Sequence, residues 1–298
     1  MPSLQARFWK MLMRRMFRKR MSIEEYRTLT NSSSRLSPPI PKGMDVHRFE
    51  VEAIPAVWIS PAVADANMVI LHLHGGGYVT GGIDSHLMMC LPMAQALKTR
   101  MLLFDYRLAP EHPFPAALED GLKTYRWLLE QGYPPSDIVI SGDSAGGGLA
   151  LAVILSLREN GEPLPVGAIC FSPWTDLTFA GESHITNARS DVVNTKNVLQ
   201  EWASAYTEQT NLRNPLVSPV FANFHGLPPL FIQVNDDELL LDDARLLAKK
   251  ARADGVDVTL KVWHGMWHVW HTAGTMIPES KKTYEEIGQF LKAIKRYR

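Results

Sequence analysis

Gly142-Asp143-Ser144-Ala145-Gly146 fits the pattern G-x-S-x-G. An apolar run at 137–141 precedes it, and a helical pattern begins near Ala145. That context suits a serine thrown out on the tip of a tight strand-to-helix turn, with Gly142 and Gly146 letting strand and helix approach. Taken alone, the pattern also fits an incidental serine in a glycine-rich turn. His74-Gly75-Gly76-Gly77 follows another apolar run, 68–73. Three glycines leave backbone N–H groups bare. In acyl transfer, those of Gly75 and Gly76 would face the developing oxyanion together with the N–H of Ala145. A flexible turn or a phosphate loop are the other readings, but no Lys follows to complete G-K-[ST].

A serine is a poor nucleophile without a base, and the base needs an orienting acid. The order nucleophile, acid, base is met downstream of Ser144. Asp236, Asp237 and Glu238 follow the apolar run 230–234, and His264, His268 and His271 follow 257–263. Which acid and which histidine take part stays open at this point. The chemistry needs no metal and no cofactor.

These groups must be held by strand ends. Apolar runs at 68–73, 101–105, 137–141, 166–171, 230–234 and 257–263 alternate with helical patterns near 84–98, 116–131, 145–160, 241–254 and 280–296. Continuous rather than alternating apolar strands suit a parallel sheet covered on both faces. The expected fold class is therefore α/β, a mostly parallel, doubly wound sheet. Two short strands broken near Pro55 are expected in 46–59. Residues 1–45 read as a helix, a helix or turn, and a connector rich in Ser32, Ser33, Ser34, Pro38, Pro39 and Pro41. The polar segment 174–225 breaks the rhythm and reads as an insertion over the C-terminal edge of the sheet.

HGGG at 74–77, DYRLAPEHPFPAALED at 105–120, GDSAGG at 142–147 and SPW at 172–174 resemble the hormone-sensitive-lipase-like esterases, family IV of the α/β-hydrolases. The resemblance runs from about residue 45 to the C-terminus. It implies a carboxylesterase acting on small-molecule esters of short to medium acyl chain. Residues 1–45 would be a helical cap segment, and 46–298 the α/β-hydrolase catalytic domain, with a cap insertion at 174–225. The family acid lies in a pattern like G-x-D-x-L-x-D-D, which gives Asp237 the acid position and makes Asn235 a departure from the family glycine. The family histidine follows a Met as in M-x-H, and Met266-Trp267-His268 gives His268 the role of base. His74 is expected to brace the glycine loop. Asp105, Arg107 and Glu111 are expected to pair structurally behind it, and Trp263, Trp267 and Trp270 to flank the base. A lactone or amide hydrolase with the same triad is the main alternative. Plant gibberellin receptors, a non-catalytic relative, lack the histidine that is intact here. Pairing of two copies through the edge strand near 257–263 is a further expectation of the resemblance.

Composition narrows the classes. The 298 residues are 46% hydrophobic and 21% charged, which suits a globular chain and excludes disorder as its main state. Formal net charge is zero, against the basic excess of a nucleic-acid binder. Yet residues 1–20 hold seven of the 31 basic groups and no acid, leaving 24 basic against 31 acidic side chains in the rest. Cys90 and Cys170 read as buried thiols rather than a disulfide framework. No apolar run is long enough to span a membrane, and Lys and Arg break up the N-terminal apolar residues, so the expected location is cytoplasmic. At 3.6 residues per turn, Phe8, Trp9, Met11, Leu12, Met13 and Met16 fall to one side of a helix and Lys10, Arg14 and Arg18 to the other. Such a helix can cap a pocket or lie on an anionic membrane; the cap is the reading adopted.

Overall fold

The computed structural model describes residues 1–17, 21–34, 40–64 and 68–295. Helices α1 (Leu4–Met16) and α2 (Ile23–Ser34) open the chain. Strands β1 (Met44–Val51) and β2 (Ile54–Pro61) form an antiparallel hairpin. Alternation follows through β3 (Val69–Leu73), α3 (Ile83–Leu97), β4 (Arg100–Phe104), α4 (Ala116–Glu130), β5 (Ile138–Asp143), α5 (Ala145–Glu159) and β6 (Gly167–Phe171). Two short helices, α6 (Ser183–Thr186) and α7 (Lys196–Tyr206), lie in the irregular stretch before β7 (Leu230–Asn235). Helix α8 (Leu241–Ala253), β8 (Val258–Trp263) and α9 (Glu279–Lys295) complete the described chain.

The strands form one sheet in the order β1-β2-β4-β3-β5-β6-β7-β8. The β1–β2 and β2–β4 pairs are antiparallel and the remaining pairs parallel. Every residue of β3, β5, β6 and β7 is buried, as continuous apolar runs require when both faces are covered. Side chains divide with the two-residue period of a strand. Ile70, Val139, Ile169 and Phe231 pack under α3 and α9, while Leu71, Ile140, Cys170 and Ile232 pack under α5 and α8. Strands β3 and β5 are neighbours, yet the helices that follow them cover opposite faces. The chain therefore parts above the carboxyl ends of β3 and β5, the crevice in which open α/β sheets bind ligands.

From residue 68 on, each expected strand and helix lies within two residues of its expected bounds. The hairpin differs. It turns at Glu52 and Ala53, with φ of 48° and 68°, and Pro55 sits inside β2 opposite Glu50. The Ser/Pro connector is also shorter than expected, since α2 runs on to Ser34. Pro38 and Pro39 lie outside the described residues, as do Arg18, Lys19 and Arg20 of the basic head. Among the described residues no helix is long and apolar enough to cross a membrane.

Candidate active site

Ser144 stands at the turn between β5 and α5 with φ 53° and ψ −123°, an unusual backbone for a residue with a Cβ. The glycines around it are demanded by space. A Cβ on Gly146 would lie 2.1 Å from the Leu73 carbonyl oxygen, and one on Gly142 would lie 2.2 Å from that of Gly146. Strand β3 and helix α5 can pass only because both positions are bare.

The Ser144 hydroxyl lies 2.9 Å from Nε2 of His268, which sits on the loop after β8. On its other side, Nδ1 of His268 lies 2.5 Å from Oε2 of Glu238. Asp237 does not reach the histidine: its Oδ2 accepts from Lys10 Nζ at 2.6 Å. The two neighbours leave the end of β7 in different directions, Glu238 fully buried and Asp237 partly exposed. Glu238 is further fixed through Oε1, which accepts from the Ser172 hydroxyl at 2.8 Å and the Asn235 N–H at 2.6 Å. The serine of the SPW motif thus supports the acid. A sequence signal for Glu238 existed: counting D-x-L-x-D-D back from Asp242-Asp243 gives position 238. The same count puts the departure from the family glycine at Asp236 rather than Asn235.

Burial opposes charge on the His268 imidazole, but the hydrogen bond and charge of Glu238, helped by Asp191 and Asp143, raise its pKa above the ordinary value. The other two histidines stand apart. His264 is exposed and pairs with Asp236, and His271 is buried against Gln233.

The glycine loop also differs from expectation at one residue. The Gly75 N–H donates to Oδ1 of Asp143 at 3.0 Å and is thereby already engaged. The N–H groups of Gly76, Gly77 and Ala145 have no acceptor among the described residues. Asp143 is the hub beneath this loop. It is buried, and its carboxylate also contacts Nε2 of His72 at 3.2 Å and Nε2 of His86 at 3.3 Å. Burial works against its charge, but His86 and His72 outweigh this and hold its pKa well below the usual carboxylate range. His74 donates from Nδ1 to the Gly75 carbonyl and stacks on Tyr106, and burial drives its pKa down to about 3. It braces the loop as a neutral ring. The Asp143–His86 hub had no signal in the pattern, since the second residue of G-x-S-x-G is unspecified.

Two of the three residues expected in structural pairs behind the loop form ion pairs, with partners outside the trio. Arg107 binds Asp120 and Glu119, Asp105 accepts from the Ile83 N–H, and Glu111 holds Arg27 of α2. Arg27 also donates to the carbonyls of Val79 and Ala109, tying α2 to the glycine loop.

A largely apolar cavity of about 540 Å³ lies over Ser144 and His268. Its walls come from α1 (Trp9, Leu12, Met13, Met16), α2 (Tyr26, Leu29), Val193, Asn194, Trp202 and the loop after β8. Of the three tryptophans, Trp267 lines it, while Trp263 and Trp270 pack against each other. Asp191 joins this wall to the acid loop, accepting from the N–H groups of Val193, Asn194 and Leu239. The expected wheel of α1 is corrected in two places. Lys10 points to the body, bonding Asp237 and the Gly265 carbonyl, whereas Phe8 and Met11 point to solvent.

The sequence model of the α/β-hydrolase fold matches residues 70–272. An acetyl-hydrolase of Streptomyces hygroscopicus is 43% identical over 237 residues, 80% of this chain and 79% of that one. The chain belongs to the α/β-hydrolase fold family. Within it, the chain is a carboxylic ester hydrolase of the hormone-sensitive-lipase-like branch. An esterase of the bacterial hormone-sensitive lipase family superposes on it with a TM-score of 0.93 at 42% identity, covering 99% of each chain. The esterase EstE5 does so with a TM-score of 0.93 at 40% identity, again over 99% of each.

Proposed function

We propose that this esterase hydrolyses short- to medium-chain carboxylic esters through an acyl-enzyme on Ser144, with His268 as base and Glu238, rather than Asp237, as orienting acid. The observation that carries the reading is the buried chain from the Ser144 hydroxyl through both nitrogens of His268 to Glu238. Ser144 Oγ attacks the ester carbonyl while His268 Nε2 takes its proton. Glu238 fixes the Nδ1–H tautomer and steadies the imidazolium. The oxyanion receives the N–H groups of Gly76, Gly77 and Ala145, with Gly75 held back by Asp143. His268 then protonates the leaving alkoxide, and water attacks the acyl-enzyme by the same route.

Helices α1 and α2 and the 174–225 segment act as a cap, and the cavity beneath them takes the acyl chain. A relative named acetyl-hydrolase, and an EstE5 crystal soaked in p-nitrophenyl butyrate, support small acyl groups. The test is Ser144→Ala on p-nitrophenyl esters from acetate to palmitate. A loss of at least about 10⁴-fold on butyrate is expected. Activity kept within about tenfold overturns the assignment. Lactones and anilides of matched acyl groups should react more slowly than the esters.

A further inference from the structure

Helix α1 carries two apolar faces, and only one is used by the cavity. Trp9, Met13 and Met16 face inward. Leu4, Phe8 and Met11 lie one turn apart on the opposite side and are 79%, 56% and 63% exposed. Arg15 continues their line, and Arg7 and Arg14 run along one side of it, all exposed. Arg14 and Arg15 form no ion pair among the described residues. A helix whose task was only to roof a cavity would place polar groups on its outer side. Here an apolar ridge is bordered by cations, the pattern of a helix that lies in a lipid–water interface.

We propose that the outer face of α1 docks on an anionic lipid surface. Charge selects this occupant. Residues 1–20 carry seven basic groups and no acid, and the rest of the chain has an acidic excess. An anionic surface therefore attracts this end and repels the remainder, so the molecule lands with α1 down. A second copy is disfavoured, because a two-fold pairing of this patch would bring two sets of Arg7, Arg14 and Arg15 together with no acid in residues 1–20 to offset them.

The test is co-sedimentation of the full chain with vesicles of phosphatidylcholine alone, or of equal parts phosphatidylcholine and phosphatidylglycerol. Binding to the anionic vesicles should be about tenfold tighter or more, and should fade in about 0.5 M salt. Phe8→Glu with Met11→Glu, and separately Arg14→Glu with Arg15→Glu, should each weaken it by about tenfold or more. Both variants should keep the rate on dissolved p-nitrophenyl acetate within about twofold, since none of these side chains lines the cavity. The arginine pair touches no packing and serves if the first variant misfolds. Failure to sediment with either vesicle overturns the proposal. So does undiminished binding by the arginine variant, or a dimer that the Phe8/Met11 variant abolishes while vesicles bind nothing. Equal affinity for soluble polyglutamate would mark an acidic polymer as the partner and overturn it as well.

Discussion

Glu238 and Asp237 differ by one methylene and one position, yet their carboxylates have opposite surroundings. Glu238 is fully buried and bound by His268, Ser172 and the Asn235 N–H. Asp237 is partly exposed, and among the described side chains its carboxylate accepts from Lys10 alone. On the proposed mechanism Glu238→Gln should lower kcat by about 10⁴-fold, the scale seen when the triad acid of trypsin-type proteases loses its charge. Asp237→Asn should leave kcat within a few-fold, because a partly exposed pair is worth under about 1 kcal/mol. Equal losses in the two variants would sink the distinction. The same acid sets the pH profile. His268 must be neutral to accept the serine proton, and its raised pKa moves the acid limb of kcat/KM above the usual imidazole value of about 6.5. Glu238→Gln should carry that limb to lower pH in whatever activity remains. That Ser144 and His268 meet was legible, Ser144 from G-x-S-x-G between a strand and a helix, and His268 from the M-x-H of the family resemblance. The carboxylate that reaches His268 lies one residue beyond the expected Asp237: the spacing back from Asp242-Asp243 points to position 238, but a Glu stands there in place of the pattern's Asp. For Gly75 no spacing helps: nothing in three consecutive glycines says which N–H is already taken.

The elements that carry these residues were legible to a residue or two because buried parallel strands are written as unbroken apolar runs. The β1–β2 turn was not. Its two central residues, Glu52 and Ala53, adopt positive φ without the Asn-Gly or Asp-Gly pair that marks such turns. Pro55 drew the break to itself, though it lies within β2. The inner face of α1 is legible in Trp9, Leu12, Met13 and Met16, while helical periodicity alone does not separate it from the outer ridge of Phe8 and Met11. Beyond the packing of Ala6, Trp9 and Met13 against the loop after β8, polar contacts fasten this helix from Ser3 to Glu279 and from Lys10 to Asp237 and the Gly265 carbonyl. Ser144, His268 and Glu238 stand on sheet loops beneath it. Removal of residues 1–20 should therefore leave hydrolysis of p-nitrophenyl acetate largely intact while raising KM for longer chains, so that the octanoate-to-acetate ratio of kcat/KM changes several-fold. An unchanged ratio would show that α1 does not shape the acyl site.

Across the whole molecule, burial creates a set of histidines whose state no local pattern announces. His72, His74 and His271 are buried, and burial lowers the pKa of each, to about 3 for His74 and His271. In the unfolded chain they titrate near 6.5. Below that value the unfolded state takes up protons that the native state refuses, so stability falls with pH between about 6.5 and 3. His86 runs the other way. Burial opposes its charge, but Asp143 raises its pKa, so its contribution is complete below about 6.5 and is lost only as pH climbs through the folded value. It cannot offset the acid loss. Each neutral buried histidine therefore adds a slope of about 1.4 kcal/mol per pH unit across that window. His271 isolates the effect, since it lies outside the cavity and its one hydrogen bond is from Nε2 to Gln233. His271→Gln should lose some stability at pH 7 through poorer packing against Phe171 and Trp270. Its unfolding free energy in urea should nevertheless fall less steeply from pH 6 to 4.5, by roughly 1 kcal/mol per unit. An unchanged slope would mean that His271 is already protonated in the native state at pH 6, which its apolar, fully enclosed position opposes.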